Sequence, residues 1–294
     1  MSYSAREVRD VEMVATIAQV REAVAKARAE GKTIGFVPTM GALHEGHLAL
    51  IRRARAECGY VVVSIFVNPI QFAPGTDWEQ YPRDLEGDRA KAHAAGADLI
   101  FAPAVEEVYP PGDSTFVEVT GQLVACLCGP HRPGHFRGVT TVCARLFNIV
   151  APDRAYFGEK DYQQLLIIKQ MVRDLRFPLV IVGVPTVREL DGLAMSSRNR
   201  YLSAEERKGA VVLSRGLFAA GDRFAAGERD AGALIAAAKR VIETEPRVTL
   251  QYLELRDAET LEELKRVARR AVLALAALVG QARLIDNAPL EPAA

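Results

Sequence analysis

The feature that most constrains the fold is a run of apolar, mostly β-branched residues at positions 60–67, with the sequence Tyr-Val-Val-Val-Ser-Ile-Phe-Val. Such a run is typical of a parallel strand that is covered on both faces. Residues 34–37, 98–101 and 179–184 have similar apolar runs, and stretches with helical spacing separate them. This alternation predicts an α/β protein with an open, doubly wound parallel sheet, whose ligand crevice lies at the carboxyl ends of the strands.

Residues 14–30 have apolar side chains at helical spacing and end before Gly31, so we predict a helix that leads into the first of these strands. The character of the chain changes after Arg188. We therefore place a domain boundary at residues 185–187, which divides the chain into residues 1–186 and a smaller α+β domain of residues 187–294.

The second domain has its own predicted elements. Residues 203–206, Ser-Ala-Glu-Glu, form a capping box that opens an Ala-rich helical region through about residue 240. Residues 248–255 resemble a strand, and residues 261–271 have helical spacing. Residues 271–278 fit a helix or a strand equally well, since alanine favours a helix and the apolar run is short.

Composition excludes several classes of partner. The 37 acidic residues balance the 37 basic ones, so a nucleic-acid partner has no electrostatic support and a small-molecule substrate fits better. The longest uncharged apolar run, residues 271–282, is too short to span a bilayer. The four cysteines lack the paired spacing of a zinc site, and the chain begins with a charged segment. We expect a reduced cytoplasmic protein, with Cys126 and Cys128 as core or loop thiols.

Residues 35–48 combine a strand end, a glycine turn, two histidines and a helix start. Pro38 is expected to stop a strand ladder because it has no N–H, and the glycines of the turn let the backbone approach a ligand. A helix that starts here would direct free N–H groups at an anion, and His44 and His47 would add donors. We predict a nucleotide-phosphate site. Histidines three residues apart could also bind a metal, but the metalloprotease spacing is four and a third ligand would have to come from elsewhere in the chain, so no metal ligand is expected.

Residues 44–47, His-Glu-Gly-His, are similar to the His-x-Gly-His signature of the class I adenylyl-transfer superfamily, and residues 38–47 resemble the pantothenate synthetase (pantoate–β-alanine ligase) family within it. Further blocks resemble that family in its order along nearly the whole chain: residues 68–72, 81–83, 132–136, 157–164, 184–188, 191–199 and 283–287.

The resemblance implies a Rossmann-like sheet with a C-terminal domain that closes over ATP, and it favours a strand at residues 271–278. It also implies ATP-dependent condensation of (R)-pantoate with β-alanine to give pantothenate, AMP and pyrophosphate through a pantoyl adenylate. ATP and Mg²⁺ are the implied co-substrate and cofactor, and a homodimer is the implied assembly.

Charge develops on the phosphates in such a reaction, so we expect fixed positive groups to act as a phosphate clamp. The candidates are His44, His47, Lys160 and Arg198. Residues 195–198, Met-Ser-Ser-Arg, resemble the mobile lysine- and serine-containing loop of the superfamily. Carried over by position, the expected ATP-site residues are Met40, Gly41, Ala42, Leu43, His44, Glu45, Gly46, His47, Gly158, Glu159, Lys160, Asp161, Val187, Met195, Ser196, Ser197 and Arg198, with Asp161 on the ribose.

Gln71 and Gln164 resemble the family's pantoate ligands, and an amide can serve both the hydroxyls and the carboxylate of pantoate. Gln71 is also expected to face β-alanine. Asn68 is either an extra polar contact or a buried turn amide. Residues 74–88 form either a lid or an exposed connector. His135 either approaches the substrate or belongs to a structural turn.

Two other functions compete with this one. A nucleotidyltransferase for a phosphorylated alcohol would call for Arg or Lys where Gln71 and Gln164 stand. A tRNA-binding module derived from a synthetase would be basic, and this chain is neutral.

Overall fold

The computed structural model describes residues 11–72, 78–79 and 81–292. Its α-helices, α1 to α10 in chain order, are Ile17–Ala29, Glu45–Glu57, Leu85–Ala95, Val105–Val108, Gln122–Ala125, His135–Val150, Tyr162–Asp174, Ala204–Ala210, Val212–Ala225 and Ala231–Ile242. Its strands, β1 to β9, are Glu12–Val14, Ile34–Thr39, Tyr60–Ile65, Leu99–Phe101, Arg154–Gly158, Val180–Val184, Val248–Asp257, Ala271–Val279 and Ala282–Leu290. Short 3₁₀ helices are Pro69–Gln71, Glu159–Asp161 and Ser197–Tyr201.

Within the described residues, β1 to β6 form one sheet in the order β1-β4-β3-β2-β5-β6, and each neighbouring pair is parallel. Successive strand residues face opposite sides of a sheet. Accordingly Phe36 packs in a core with α1, α6 and α7, whereas the next residue, Val37, packs in a second core with α2 and α3. Helices therefore cover both faces, and the predicted doubly wound, Rossmann-like sheet is confirmed.

The strand order reverses between β2 and β5, which pair only through Gly35 with Arg154 and Phe36 with Ala155. Beyond that point the two strands diverge and open a crevice at their carboxyl ends, where ligands bind in such sheets. The strand itself continues to Thr39 through its pairing with β3, whereas the ladder with β5 stops at Phe36, before Pro38, as predicted. The Thr39 carbonyl accepts from Phe66 on the β3 side, so Pro38 faces the unpaired β5 side, where its missing N–H removes no ladder bond.

A smaller antiparallel sheet, β7-β8-β9, follows in the chain. β8 lies in its centre and is buried along nearly its whole length, which explains why its apolar run shows no alternation. The strand at residues 271–278 is therefore confirmed, as is the α+β character of this part of the chain. Helices α9 and α10 share its core through Leu217, Leu234 and Ala238.

Several predicted boundaries differ from the structure. The helix expected from residue 14 begins at Ile17, because residues 12–14 pair with β4 as the edge strand β1. Thr16 caps that helix together with Gln19. The helical region from residue 204 divides into α8, α9 and α10, with a break at Gly227, whose φ is +102°.

The predicted helix at residues 261–271 is wrong. Asp257 accepts the N–H groups of Glu259 and Thr260 through its carboxylate. Leu261 follows at a φ of +57°, in the left-handed region that interrupts a helix. Further along, the Lys265 carbonyl and the Val267 N–H bond to residues 231 and 229. The helical spacing of the apolar residues therefore reflects packing of an irregular segment.

The described part of the chain has no helix that is long and apolar enough to cross a membrane. The cysteines Cys58, Cys126, Cys128 and Cys143 are buried free thiols.

Candidate functional site

A cavity of about 210 Å³ lies where β2 and β5 diverge. Its walls come from the ends of both strands, the start of α2, the turn after β5 and the segment after β6. The predicted site residues that line it are Met40, His44, Gly46, His47, Asn68, Gln71, Gly158, Lys160, Asp161, Gln164, Val187, Met195, Ser196, Ser197 and Arg198. The fold thus brings chain-distant blocks to one crevice.

The two histidines of this cavity form the N-terminal capping box of α2. Nδ1 of His44 accepts the Gly46 N–H at 3.1 Å, and Nδ1 of His47 accepts the His44 N–H at 3.4 Å. An accepting Nδ1 places the proton of a neutral imidazole on Nε2. Each ring therefore has an Nε2–H donor that its capping bond leaves available for a ligand.

Both histidines are held neutral. Burial, followed by the charge of Lys160, lowers the pKa of His44 to about 4. Burial, followed by the neighbouring His44 ring, lowers the pKa of His47 well below its ordinary value. The expectation that these residues act as positive groups is therefore wrong for the free protein. They offer neutral hydrogen-bond donors beside the cation of Lys160.

The N–H groups of the turn before α2 are bonded within the protein, and at the helix start, where free N–H groups were expected, the Gly46 N–H donates to His44. Asp88 on α3, 1% exposed, accepts from Ala42 N and Leu43 N at 2.7 Å each. The Gly41 N–H donates to the Thr39 hydroxyl. Gly41, Ala42 and Leu43 therefore shape the turn, and they do not line the cavity.

Two other expected ATP-site residues also lie outside the cavity lining. Glu45 is exposed and pairs with Arg52. Glu159 has its carbonyl bonded to Asn287.

Asp88 was not predicted as a site residue, because residues 74–88, which end at Asp88, were interpreted as a lid or an exposed connector. Residues 85–88 belong to the first turn of α3, which Asp84 caps. The lid residues 74–77 and 80 lie outside the described residues. Its position in the structure shows the role of Asp88: a buried carboxylate that accepts from two backbone N–H groups holds a turn in place.

Lys160 is presented by the 3₁₀ helix that follows β5. Its ammonium lies 3.8 Å from Asp161 and its side chain is 18% exposed. The backbone of this turn is held from the second sheet: the Asn287 amide donates to the carbonyls of Glu159 and Lys160 at 2.9 Å each. Asn287 belongs to a block that the family resemblance included, but its role as the support of Lys160 is visible only in three dimensions.

Arg188 and Asp286 anchor the segment that precedes Arg198. They form a bidentate ion pair at 2.7 and 2.9 Å, with the Asp286 side chain 2% exposed. Met195 N donates to the Val187 carbonyl, so the chain folds back before residues 196–198. Ser196 then caps the 3₁₀ helix that contains Arg198, and the hydroxyls of Ser197 and Tyr81 lie 3.3 Å apart.

Gln71 and Gln164 line the same cavity from different elements. The Gln71 amide accepts from Asn68 at 2.9 Å and contacts the Met40 sulfur at 3.0 Å. Asn68 is 1% exposed, donates also to the Gly138 carbonyl and accepts from the Tyr109 hydroxyl at 2.8 Å. Its polar groups are thus engaged, and Asn68 holds Gln71 in place as a buried turn amide would.

His135 at the start of α6 is 8% exposed and lies behind Gln71. Its Nδ1–H donates to the Gln71 carbonyl at 2.9 Å, since a carbonyl only accepts. Its Nε2 therefore accepts from the Arg132 guanidinium at 2.9 Å. Burial and then Arg132 lower the pKa of His135 to about 3.

We expect the buried neutral histidines to make folding stability depend on pH. Their folded-state pKa values lie below the ordinary value of about 6.5, so only the unfolded chain takes up these protons as the pH falls. The contribution of these histidines to the free energy of unfolding is fully present above about pH 6.5. It declines as the pH falls towards 4, by at most about 1.4 kcal/mol per pH unit for each group. Denaturant unfolding at several pH values measures this slope. His44→Asn keeps a capping side chain and should reduce the slope.

The matched control is His131→Asn, because His131 is exposed. It measures how far the slope changes when an exposed histidine is replaced. An unchanged slope in His44→Asn would contradict the neutral state of His44.

A family model described as Pantoate-beta-alanine ligase matches residues 12–289. The pantothenate synthetase of Moorella thermoacetica is 57% identical over 281 residues, which cover 96% of this chain and 99% of the relative. The crystal structure of pantothenate synthetase from Thermus thermophilus has a TM-score of 0.92 at 51% identity, over 96% of this chain and all of that one.

A third similarity is to the pantoate-beta-alanine ligase of Francisella tularensis, crystallised in complex with beta-gamma ATP and beta-alanine. Its TM-score is 0.78 at 33% identity, over 96% of this chain and 99% of that one. Each of the three similarities extends over nearly the whole length of both chains.

Proposed function

Because the chain belongs to the pantoate-beta-alanine ligase family and joins pantoate to β-alanine, we propose that it first activates pantoate with ATP as a pantoyl adenylate. A carboxylate is a poor acylating agent at neutral pH, so it needs a leaving group. The pantoate carboxylate oxygen attacks the α-phosphorus, the bond to the β-phosphate oxygen breaks, and pyrophosphate leaves with that electron pair. The neutral amine of β-alanine then attacks the acyl carbon, AMP departs with the carboxylate oxygen, and the new amide nitrogen loses a proton.

One observation carries this proposal: two Nε2–H donors, an ammonium and a guanidinium line a single cavity at the point where the strand order reverses. His44 and His47 supply the neutral donors, and Lys160 and Arg198 supply the charge. Groups fixed in this way stabilise the charge that develops on the phosphates without reorganising during the reaction. We propose that these four residues contact the phosphates and that Asp161 accepts from the ribose.

Gln71 and Gln164 are proposed as the pantoate ligands. Both line the cavity that contains Lys160, and each amide can donate to the pantoate carboxylate and accept from a hydroxyl. Asn68 acts as a positioning residue for Gln71, through the 2.9 Å bond between their amides.

Mg²⁺ usually keeps several waters and binds through one or two carboxylates together with substrate phosphates. The described residues contain no group of three His, Cys, Asp or Glu side chains placed to hold a metal. Asp161 is the carboxylate among the described residues that line the cavity. These residues fit a cation that enters with ATP and is held mainly by its phosphates, where it would neutralise phosphate charge.

We also propose the assembly and location that the family resemblance implies: a cytoplasmic homodimer that binds no nucleic acid. The equal numbers of acidic and basic residues support the last point. We further propose residues 1–186 and 187–294 as two domains, the second of which closes over ATP. The two separate sheets support this division.

Isotope exchange tests the order of the two steps. With pantoate and Mg²⁺ present and β-alanine absent, labelled pyrophosphate should exchange into ATP, and omitting pantoate should abolish the exchange. An ¹⁸O label in the pantoate carboxylate should appear in AMP after complete turnover, because that oxygen bridges to phosphorus in the adenylate. Exchange that requires β-alanine, or a label found only in pyrophosphate, would contradict the adenylate route.

A further inference from the structure

A second cavity of about 40 Å³ adjoins the first. Lys160, Asp161 and Gln164 line both cavities. The second extends towards the antiparallel sheet, and Arg132 lies in its wall with His135. A small molecule that reacts beside Gln164 can therefore extend from the first cavity into the second.

Arg132 is a partly buried cation in the wall of the second cavity. No ion pair joins it to an Asp or Glu among the described residues, and its guanidinium donates to the neutral Nε2 of His135 at 2.9 Å. Burial, followed by the like charge of Arg198, lowers the pKa of Arg132 to about 10. It remains charged at neutral pH, and its environment favours an anion as partner.

His135 fixes the position of this guanidinium. The ring is tied to the Gln71 carbonyl through Nδ1–H, which leaves Nε2 as an acceptor in one orientation. The same residue, Gln71, has the side chain that lines the first cavity. His135 therefore connects Arg132 in the second cavity to Gln71, the proposed pantoate ligand, in the first cavity.

The second substrate has the matching chemistry. β-Alanine has an amine and a carboxylate separated by two methylene groups. Its amine must reach the acyl carbon held beside Gln71 and Gln164, so its carboxylate must lie a short distance beyond. We propose that this carboxylate binds the guanidinium of Arg132 in the second cavity, and that His135 is the positioning residue for that contact. The inference rests on the proposed function, which assigns pantoate to the first cavity.

Arg132→Gln in the full chain separates this role from a phosphate contact. Pantoate-dependent pyrophosphate exchange, measured without β-alanine, should change less than about threefold. The KM for β-alanine should rise about 10- to 100-fold, as expected for a lost hydrogen bond between charged groups. Arg132→Lys keeps the charge but not the fork, so it should recover part of the loss. Arg137→Gln is the matched control, since Arg137 is a nearby arginine that lies exposed on α6 against Phe116.

A second substrate sharpens the test. Propylamine has the same chain length without the carboxylate, and it should be a far poorer acceptor than β-alanine for the parent chain. Arg132→Gln should reduce the ratio of β-alanine use to propylamine use, because the substitution removes the partner of the carboxylate, which propylamine lacks. The parent preference between the two amines can be measured even if Arg132→Gln fails to fold, and Arg132→Lys then serves as the variant.

The possible failures are distinguishable. If the parent chain shows no pantoate-dependent exchange, the proposed adenylate step is wrong. If exchange is normal in the parent but lost in Arg132→Gln, Arg132 contacts pyrophosphate and the inference is overturned. An unchanged KM for β-alanine in both variants, or equal use of the two amines by the parent, would overturn it as well.

Discussion

Replacing Lys160 by alanine is expected to lower the rate of adenylation by on the order of a hundredfold or more, with a much smaller effect on pantoate binding. The ammonium lies in the cavity wall, 18% exposed and 3.8 Å from its acidic neighbour, so it can turn to a phosphate oxygen. In the proposed phosphate clamp this ammonium would meet charge that grows in the transition state, and removing one such fixed group commonly costs about 2.7–4 kcal/mol. Single-turnover formation of AMP, together with equilibrium binding of pantoate, measures both quantities.

Lys169→Ala is the matched control for this experiment. Lys169 lies exposed on α7, the helix that follows Lys160 in the chain, and its replacement should leave the rate unchanged. Near-normal adenylation by a folded Lys160→Ala variant would remove Lys160 from the phosphate clamp.

Replacing His47 by alanine is expected to lower the adenylation rate by a similar factor, on the order of a hundredfold. The physical reason differs from that for Lys160. His47 is neutral, so it contributes an Nε2–H donor in a fixed direction. His47→Gln retains an N–H donor and should recover part of the rate. Pantoate binding should change little in either variant.

The pH profile separates a neutral donor from a cation. The pKa of His47 lies well below 6.5, so its protonation does not change between about pH 6.5 and 8. The pyrophosphate exchange rates of the parent chain and of His47→Gln should therefore depend on pH in the same way over this range. His93→Ala removes a histidine outside the cavity lining and serves as the control. A rate that falls through about pH 6.5 in the parent but not in His47→Gln would show that the imidazolium is the active form.

Patterns that depend on neighbouring residues were predictable from the sequence. The run at residues 60–67 indicated a strand because burial on both faces removes the polar alternation, and the capping box at Ser203 indicated a helix start because its bonds are local. The motif blocks at residues 38–47, 68–72, 157–164 and 184–188 were predictable as cavity residues because they lie at the ends of β2, β3, β5 and β6. The adenylate chemistry came from resemblance, not from these patterns.

Features that depend on distant contacts were not predictable. Residues 12–14 are too short to show a strand pattern and pair only because β4 lies beside them. Residues 261–271 have helical spacing, yet their backbone groups bond to other segments. The charge state of His44 could not be read from its residue type, because burial and Lys160 set it in the folded chain. The roles of Asp88 and Asn287 likewise arise from bonds across 45 and 127 positions.

The bond from Asn287 to the turn of Lys160 has a consequence for the time at which activity appears during synthesis. The parallel sheet ends with β6 and can begin to fold before roughly the last hundred residues have emerged, since folding commonly proceeds from the N-terminal side. The turn that presents Lys160 is then still without the side-chain amide that binds its two carbonyls. That amide arrives on β9, which pairs with β8 at the very end of the fold. We therefore expect the crevice between β2 and β5 to form during synthesis before the turn of Lys160 gains the bonds that hold it.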